Sequence, residues 1–179
     1  MTDPGTVVYD LDGTLVRLAV EWDAVRAEVR ELYREAGVAG NHSLWDMMAR
    51  APEHGLQDPV ETAIRRHEEA GARNSDRLTV ADELLAADQP AGVCSLNAES
   101  ACRIALDTHD LLSSVDAVIG RDSVDAHKPD PTPLLAVIDA LDATPEQTLF
   151  VGDSERDQET AKRAGTAFAW AEDYARRRA

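Results

Sequence analysis

The chain of 179 residues is poor in lysine, having only Lys128 and Lys162, and the rest of its 18 basic residues are arginines. Acids number 34, which leaves a formal charge of -16. A surface this acidic is a poor partner for nucleic acid or for an anionic membrane, both of which need clustered positive charge. Acidic and lysine-poor, it resembles proteins that work in salt-saturated cytoplasm, although an arginine-rich, high-GC genome would also produce many of these replacements. Cysteine is scarce too. Cys94 and Cys102 lie eight residues apart, with no metal-ligand spacing, and read as buried free thiols in a reducing cytosol. Aromatics are only 4% of the chain against 44% hydrophobic residues, so the core must rest on Ala, Val, Leu and Ile. No apolar run approaches the length that spans a bilayer. Met1 to Thr6 lacks the basic-then-apolar pattern of a signal peptide, so a cytoplasmic protein is expected.

What is present is a change of pattern along the chain. Residues 6–9 (Thr-Val-Val-Tyr) form a short β-branched run that reads as a buried strand. Trp22, Val25, Val29, Leu32, Tyr33 and Ala36 then recur at helical spacing, with Gly37 to close the helix. A second helix is expected from Ser43. A third should be capped by Asp58, with Pro59 in its first position and an end near Gly71. Residues 15 to about 75 therefore read as helical, without a strand-like run. Alternation follows: a helix at 79–87, a strand at 92–96, a helix capped by Asn97, and a strand at 115–119. A helix from Thr132-Pro133 to Leu141, a strand at 148–151, a helix from Ser154 to Ala164 and a strand at 166–170 complete the chain. Strands alternating with helices imply a parallel sheet covered on both faces. Ligands in such sheets sit beyond the carboxyl ends of the strands.

Four segments lie at such ends. Asp10-Leu11-Asp12-Gly13-Thr14 crowds two carboxylates at one point, which calls for a cation, although an Asp-Gly turn with solvated acids is a common alternative. Ser95-Leu96-Asn97 puts a hydroxyl beside a helix N-terminus, where a phosphoryl oxygen is favoured; simple capping by Asn97 would look the same. Lys128-Pro129-Asp130-Pro131 places one of the two lysines before a stiffened loop, where it could balance Asp10 or be merely exposed. Gly152-Asp153-Ser154-Glu155-Arg156-Asp157 sets two acids in and before a first helical turn, able to hold a metal or simply to favour the helix.

In this order, each after a strand, the four segments resemble the four motifs of the haloacid dehalogenase superfamily. Within it they are most similar to the phosphoglycolate-phosphatase-like branch, especially at Val151-Gly152-Asp153-Ser154 with Asp157, Ala161 and Ala164-Gly165. The match runs from residue 6 to about 170. The resemblance implies an α/β fold: a Rossmann-like parallel-sheet core at 1–14 and 77–179, and a small helical cap at 15–76 inserted after the first strand. It implies a phosphatase for a small phosphorylated metabolite, monomeric or homodimeric, with Mg²⁺ as cofactor. Asp10 would be the nucleophile and Asp12 the acid and base. Ser95, Asn97 and Lys128 would hold the phosphoryl group, Asn97 in a supporting role. Asp10, the backbone carbonyl of Asp12, and Asp153 would bind the metal, supported by Asp157. Other chemistries of the superfamily compete. Asp12 argues against a dehalogenase, because similar enzymes of that type lack the second aspartate. The absence of lysine between Asp12 and Pro90 argues against a phosphonatase, which uses a cap lysine. A phosphomutase and a catalytically silent binding protein stay open. The tail after Asp153 is short for the family, so a narrow sheet, or one completed by a partner, is also expected. The cap's arginines, from Arg17 to Arg73, belong mostly on solvated helix faces.

Overall fold

The computed structural model describes residues 4–40 and 42–176. Residues 1–3, 41 and 177–179, including the first residues read for a signal peptide, lie outside that description. The chain opens with β1 (Thr6–Tyr9), turns, and forms a two-residue strand, β2 (Val16–Arg17). Three helices follow: α1 (Trp22–Glu35), α2 (Leu44–Arg50) and α3 (Gln57–Arg73). The chain returns through β3 (Asp76–Arg77) and continues as α4 (Val80–Leu85), β4 (Ala91–Cys94), α5 (Glu99–Thr108) and β5 (Ala117–Ile119). It closes with α6 (Thr132–Ala140), β6 (Thr148–Gly152), α7 (Glu155–Ala164), β7 (Ala167–Trp170) and α8 (Ala171–Arg176).

The main sheet is parallel, with strand order β5-β4-β1-β6-β7. β1 is central and buried on both faces, which is why it reads as an uninterrupted apolar run. Its side chains alternate between two cores. Val7 and Tyr9 join Val80, Leu84, Ala101, Ala105 and Tyr174 on one face. Val8 joins Cys94, Phe150, Leu134, Val137 and Ala161 on the other. Strand connections run outward from β1 in both directions, so its carboxyl end lies at the crevice where the strand order reverses. A third apolar cluster belongs to the helices between β2 and β3: Val25, Val29 and Tyr33 of α1, Leu44 and Met47 of α2, Val60 and Ile64 of α3. The Tyr33 hydroxyl donates to the Met47 carbonyl at 2.6 Å inside it. Among the described residues no helix is long and apolar enough to cross a membrane.

Several local expectations need correction. Residues 15–75 are not wholly helical, because β2 pairs antiparallel with β3 where the chain leaves and rejoins the sheet. α3 starts at Gln57 after Leu56, so Asp58 is not its cap. The left-handed turn at Gly55 and the Leu56 N–H bond to the Ala51 carbonyl deliver the chain to the helix earlier. α3 also runs past Gly71. That glycine is a packing position, where a Cβ would collide with Val20 and the Ala19 backbone. Asn97 does not cap α5. The Glu99 N–H is met by Asp122 at 2.7 Å and the Ala98 N–H by Glu68 at 3.0 Å, so the cap comes from elsewhere in the fold. The short tail nevertheless supplies both a strand, β7, and a helix, α8, giving a five-stranded sheet. α7 forms as read: Ser154 and Asp157 make a reciprocal capping box and Gly165 ends the helix at φ 80°.

Candidate active site

β1, β4 and β6 deliver their carboxyl ends side by side, and the four segments singled out above follow β1, β4, β5 and β6. Asp10 leaves β1 with its N–H bonded to the Val151 carbonyl at 2.8 Å and is only 6% exposed. Lys128 reaches it from the loop after β5. The ammonium is as deeply buried and uses all three of its donors: to Asp10 at 2.7 Å, to Asp157 at 2.5 Å and to the Cys94 carbonyl at 3.2 Å. The reading of Lys128 as an exposed loop residue is thereby removed. Asp157 stands on the first turn of α7, and its second oxygen accepts from the Ser154 hydroxyl at 2.6 Å. Asp153, exposed at the end of β6, completes the group. Carboxylate oxygens of Asp10, Asp153 and Asp157 all lie within 4.8 Å of one another.

Gly13 is what lets the β1 loop meet β6. It sits at φ 91°, and a Cβ there would run into the Asp153 carboxylate. Asp12 is half-buried: its carboxylate accepts the Leu18 N–H at 2.9 Å and is not one of the three converging acids, although the Asp153 charge acts on it. Ser95 and Asn97 bond each other, the Ser95 hydroxyl donating to Asn97 Oδ1 at 3.1 Å and accepting from the Asn97 N–H at 3.1 Å. Their link to the acids is the Cys94 carbonyl, one residue before Ser95, which Lys128 holds. Both cysteines are buried, and burial pushes the Cys94 thiol up to about 12.

The electrostatics are unbalanced. Burial, opposed by Lys128 and reinforced by the Asp157 charge, pushes Asp10 up to about 7. Burial also raises Asp12, against the Leu18 N–H, and raises Asp153, helped by Asp157. For Lys128, burial works against the charge, but Asp10 and Asp157 outweigh it and hold the ammonium above its ordinary range. One cation thus faces three converging carboxylates. Such an excess of negative charge is relieved by a proton, as the raised Asp10 carboxyl shows, or by a further cation. The donors are all hard oxygens, which suits magnesium rather than a softer metal.

Two residues of this neighbourhood escaped sequence reasoning. Arg121, just past β5, and Glu68, on α3, are both buried and ion-paired at 2.7 Å, and both bond into the 95–98 loop. The signal for Glu68 was there: it occupies the apolar stripe Val60, Ile64, Glu68, Ala72, where an unpaired acid would be costly. Arg121 shares with the four motifs a place at a strand end.

Comparison with known proteins bears on the same residues. The family model for haloacid dehalogenase-like hydrolase matches residues 7–171. A phosphoglycolate phosphatase of Cereibacter sphaeroides (strain ATCC 17029 / ATH 2.4.9) is 34% identical, covering 93% of this chain and 84% of that protein. A phosphoglycolate phosphatase of Rhodospirillum rubrum is 39% identical, over 90% of this chain and 77% of that protein. Among solved structures, CbbY from Rhodobacter sphaeroides in complex with phosphate superposes with a TM-score of 0.72 at 18% identity. That match covers 94% of this chain and 86% of that one, and it supports the fold.

Proposed function

The chain belongs to the haloacid dehalogenase-like hydrolases, and from that premise we propose that it is a magnesium-dependent phosphatase of a small phosphate monoester. The observation that carries the proposal is the convergence of Asp10, Asp153 and Asp157 on the single ammonium of Lys128 at the strand ends. Asp10 and Asp153 would hold the metal, with the Asp12 carbonyl, and Asp157 would support it. When bound, the ion supplies charge neutralisation for the phosphoryl oxygens.

Everything else falls to the chain's own groups. An Asp10 oxygen attacks phosphorus, forming an aspartyl-phosphate as the bond to the ester oxygen breaks. Asp12, whose carboxyl burial raises, gives a proton to the leaving oxygen. It then takes a proton from the water that attacks the aspartyl-phosphate, releasing phosphate and restoring Asp10. Lys128 holds Asp10 in place and balances the phosphoryl group by its charge, while Ser95 and Asn97 hold the phosphoryl oxygens. Residues 1–14 and 77–179 act as the catalytic core, and 15–76 as a cap that excludes bulky substrates and bulk water. The relatives' names make phosphoglycolate the first physiological substrate to try, in a cytoplasmic setting. The test is hydrolysis of p-nitrophenyl phosphate and of a panel of phosphorylated metabolites, with and without Mg²⁺. Mg²⁺-dependent release of phosphate is expected. A folded protein that hydrolyses none of them, or that works unchanged after exhaustive chelation, overturns the proposal.

A further inference from the structure

Arg121 and Glu68 form a closed unit between the helical segment and the sheet. Arg121 has five N–H donors, and all five are used. Nε meets Glu61 at 3.3 Å. Nη1 meets Glu68 at 2.7 Å and the Leu96 carbonyl at 2.8 Å. Nη2 meets Glu61 at 2.7 Å and Glu68 at 3.1 Å. Glu68, 1% exposed, is equally saturated. One oxygen accepts from Arg121 and from the Asn97 amide at 3.1 Å, and the other from Arg121 and the Ala98 N–H at 3.0 Å. Burial works against the Arg121 charge, yet Glu68 and Glu61 more than offset it and raise the guanidinium above its ordinary value. Three consecutive residues, Leu96, Asn97 and Ala98, are therefore each held by a buried charge. They are the residues that immediately follow Ser95, and the Ser95 hydroxyl is itself bonded to Asn97, to its Oδ1 and from its N–H.

We propose that Glu68 and Arg121 are positioning residues: together they set the Ser95–Asn97 loop in its phosphate-holding geometry and make that geometry depend on the docking of α3. Neither touches the reacting atoms. A simpler account is that the pair only fastens α3 to the sheet, since a buried pair often contributes little to stability beyond not being broken. Two features favour positioning. The bonds converge on one three-residue loop, and α3 has a separate fastening to α5 in the Glu69–Ser100 bond at 2.7 Å, which does not touch that loop. That second bond provides the control.

The inference rests on the phosphatase reading, so the experiment carries one readout with activity and one without. Glu68→Asp keeps the charge that Arg121 needs but withdraws it by one methylene from Asn97 and Ala98. Glu68→Gln keeps the length but removes the charge. Both are compared with wild type and Ser100→Ala for kcat and KM on p-nitrophenyl phosphate, for inhibition by inorganic phosphate, and for hydrogen exchange of the 95–98 amides. Positioning predicts that Glu68→Asp lowers kcat and weakens phosphate inhibition by at least about tenfold, as loss of a held geometry does. It also predicts faster exchange at Asn97 and Ala98, whereas Ser100→Ala changes neither kinetics nor those amides. Unchanged exchange at 97–98, or equal kinetic losses in Ser100→Ala and Glu68→Asp, overturns the inference. A wild type without activity fails the phosphatase reading, while the exchange result still judges the loop. If Glu68→Gln does not fold, Glu68→Asp decides alone.

Discussion

Two buried cations stand within one loop of each other and are treated in opposite ways. Arg121 has every donor answered and its partner Glu68 every lone pair filled, so that region is complete as it stands. Lys128 also has every donor answered, but three carboxylates crowd beside it, Asp10, Asp153 and Asp157 within 4.8 Å of one another, against the two, Glu61 and Glu68, that share Arg121. One is a closed structural network and the other an open electrostatic balance. The difference teaches how to tell a fastening from a working site when both are buried ion clusters. In the fastening, deleting a charge leaves its partner stranded. In the working site, deleting a surplus charge relieves the fold while removing the chemistry.

The largest effect follows from that asymmetry. Asp10→Asn should lose essentially all turnover, on the order of 10⁴-fold or more, since an amide cannot attack phosphorus. It should not destabilise the metal-free protein. The Asp10 carboxyl is held up at about 7 rather than depressed, so its ionisation works against the fold as pH rises from about 4 to about 7. Asparagine removes that ionisation while still accepting from Lys128. Turnover is measured on purified, folded protein, and thermal unfolding at neutral pH with chelator supplies the other half. Substantial residual activity would sink the assignment of Asp10. A clearly lowered melting temperature would erase the contrast with Arg121.

The opposite sign is expected at the network. Arg121→Met strands Glu68 in the interior beneath α3, which should cost roughly 3–5 kcal/mol. For a domain of this size that is a fall in melting temperature on the order of 10 °C. A fall of only a degree or two would mean that Glu68 finds water or Glu61 finds another partner, and that the network is less closed than its bonds suggest.

These two clusters were unequally legible in the sequence, for a physical reason. Asp10, Lys128, Asp153 and Asp157 each follow a strand, and strands announce themselves by short β-branched runs, so the carboxyl edge of the sheet could be reconstructed without coordinates. The start of α7 at Ser154 and its stop at Gly165 were readable because both signals are local. What was missed is tertiary. Asn97 looked like a cap because the residue type fits. The true cap of α5 comes from Glu68 and Asp122, which lie 30 and 24 residues away from Ala98 in sequence. Glu68 was hidden among the many acids of a chain with charge -16, although its place in an apolar stripe marked it. The pairing of β2 with β3 was missed because two-residue strands carry no periodicity.

A smaller effect sharpens the account of the open cluster. Mg²⁺ should raise the melting temperature of the wild type, because an ion that binds only the folded state adds RT ln(1 + [L]/Kd), about 1.4 kcal/mol at ten times Kd. Asp153→Asn, which removes an exposed ligand without unpairing Lys128, should lose that gain and keep the chelated baseline. Equal Mg²⁺ stabilisation in both proteins would place the ion elsewhere.

The smallest expected effect per charge, spread over the largest area, concerns the surface outside both clusters. With 34 acids against 18 basic residues, the exposed carboxylates repel one another even though many arginines are paired along helices, as in Arg103–Glu99 and Arg163–Glu159 at 2.8 Å. Each such exposed pair contributes little. At 0.01 M salt the Debye length is about 30 Å, so the repulsion spans the molecule; at 1 M it is about 3 Å and most of it is screened. Weakly paired surface acids should therefore make the whole protein more stable as KCl rises into the molar range. The buried clusters, shielded from the salt, should keep their contrast: Arg121→Met should remain destabilising and Asp10→Asn should not. Melting curves of wild type and both variants from low to multimolar KCl test this together. A wild-type melting temperature that stays flat or falls with salt would remove the salt adaptation inferred from composition. A salt-dependent gap between Arg121→Met and wild type would show that the Glu68 region is open to solvent ions, and the distinction between the two clusters would have to be redrawn.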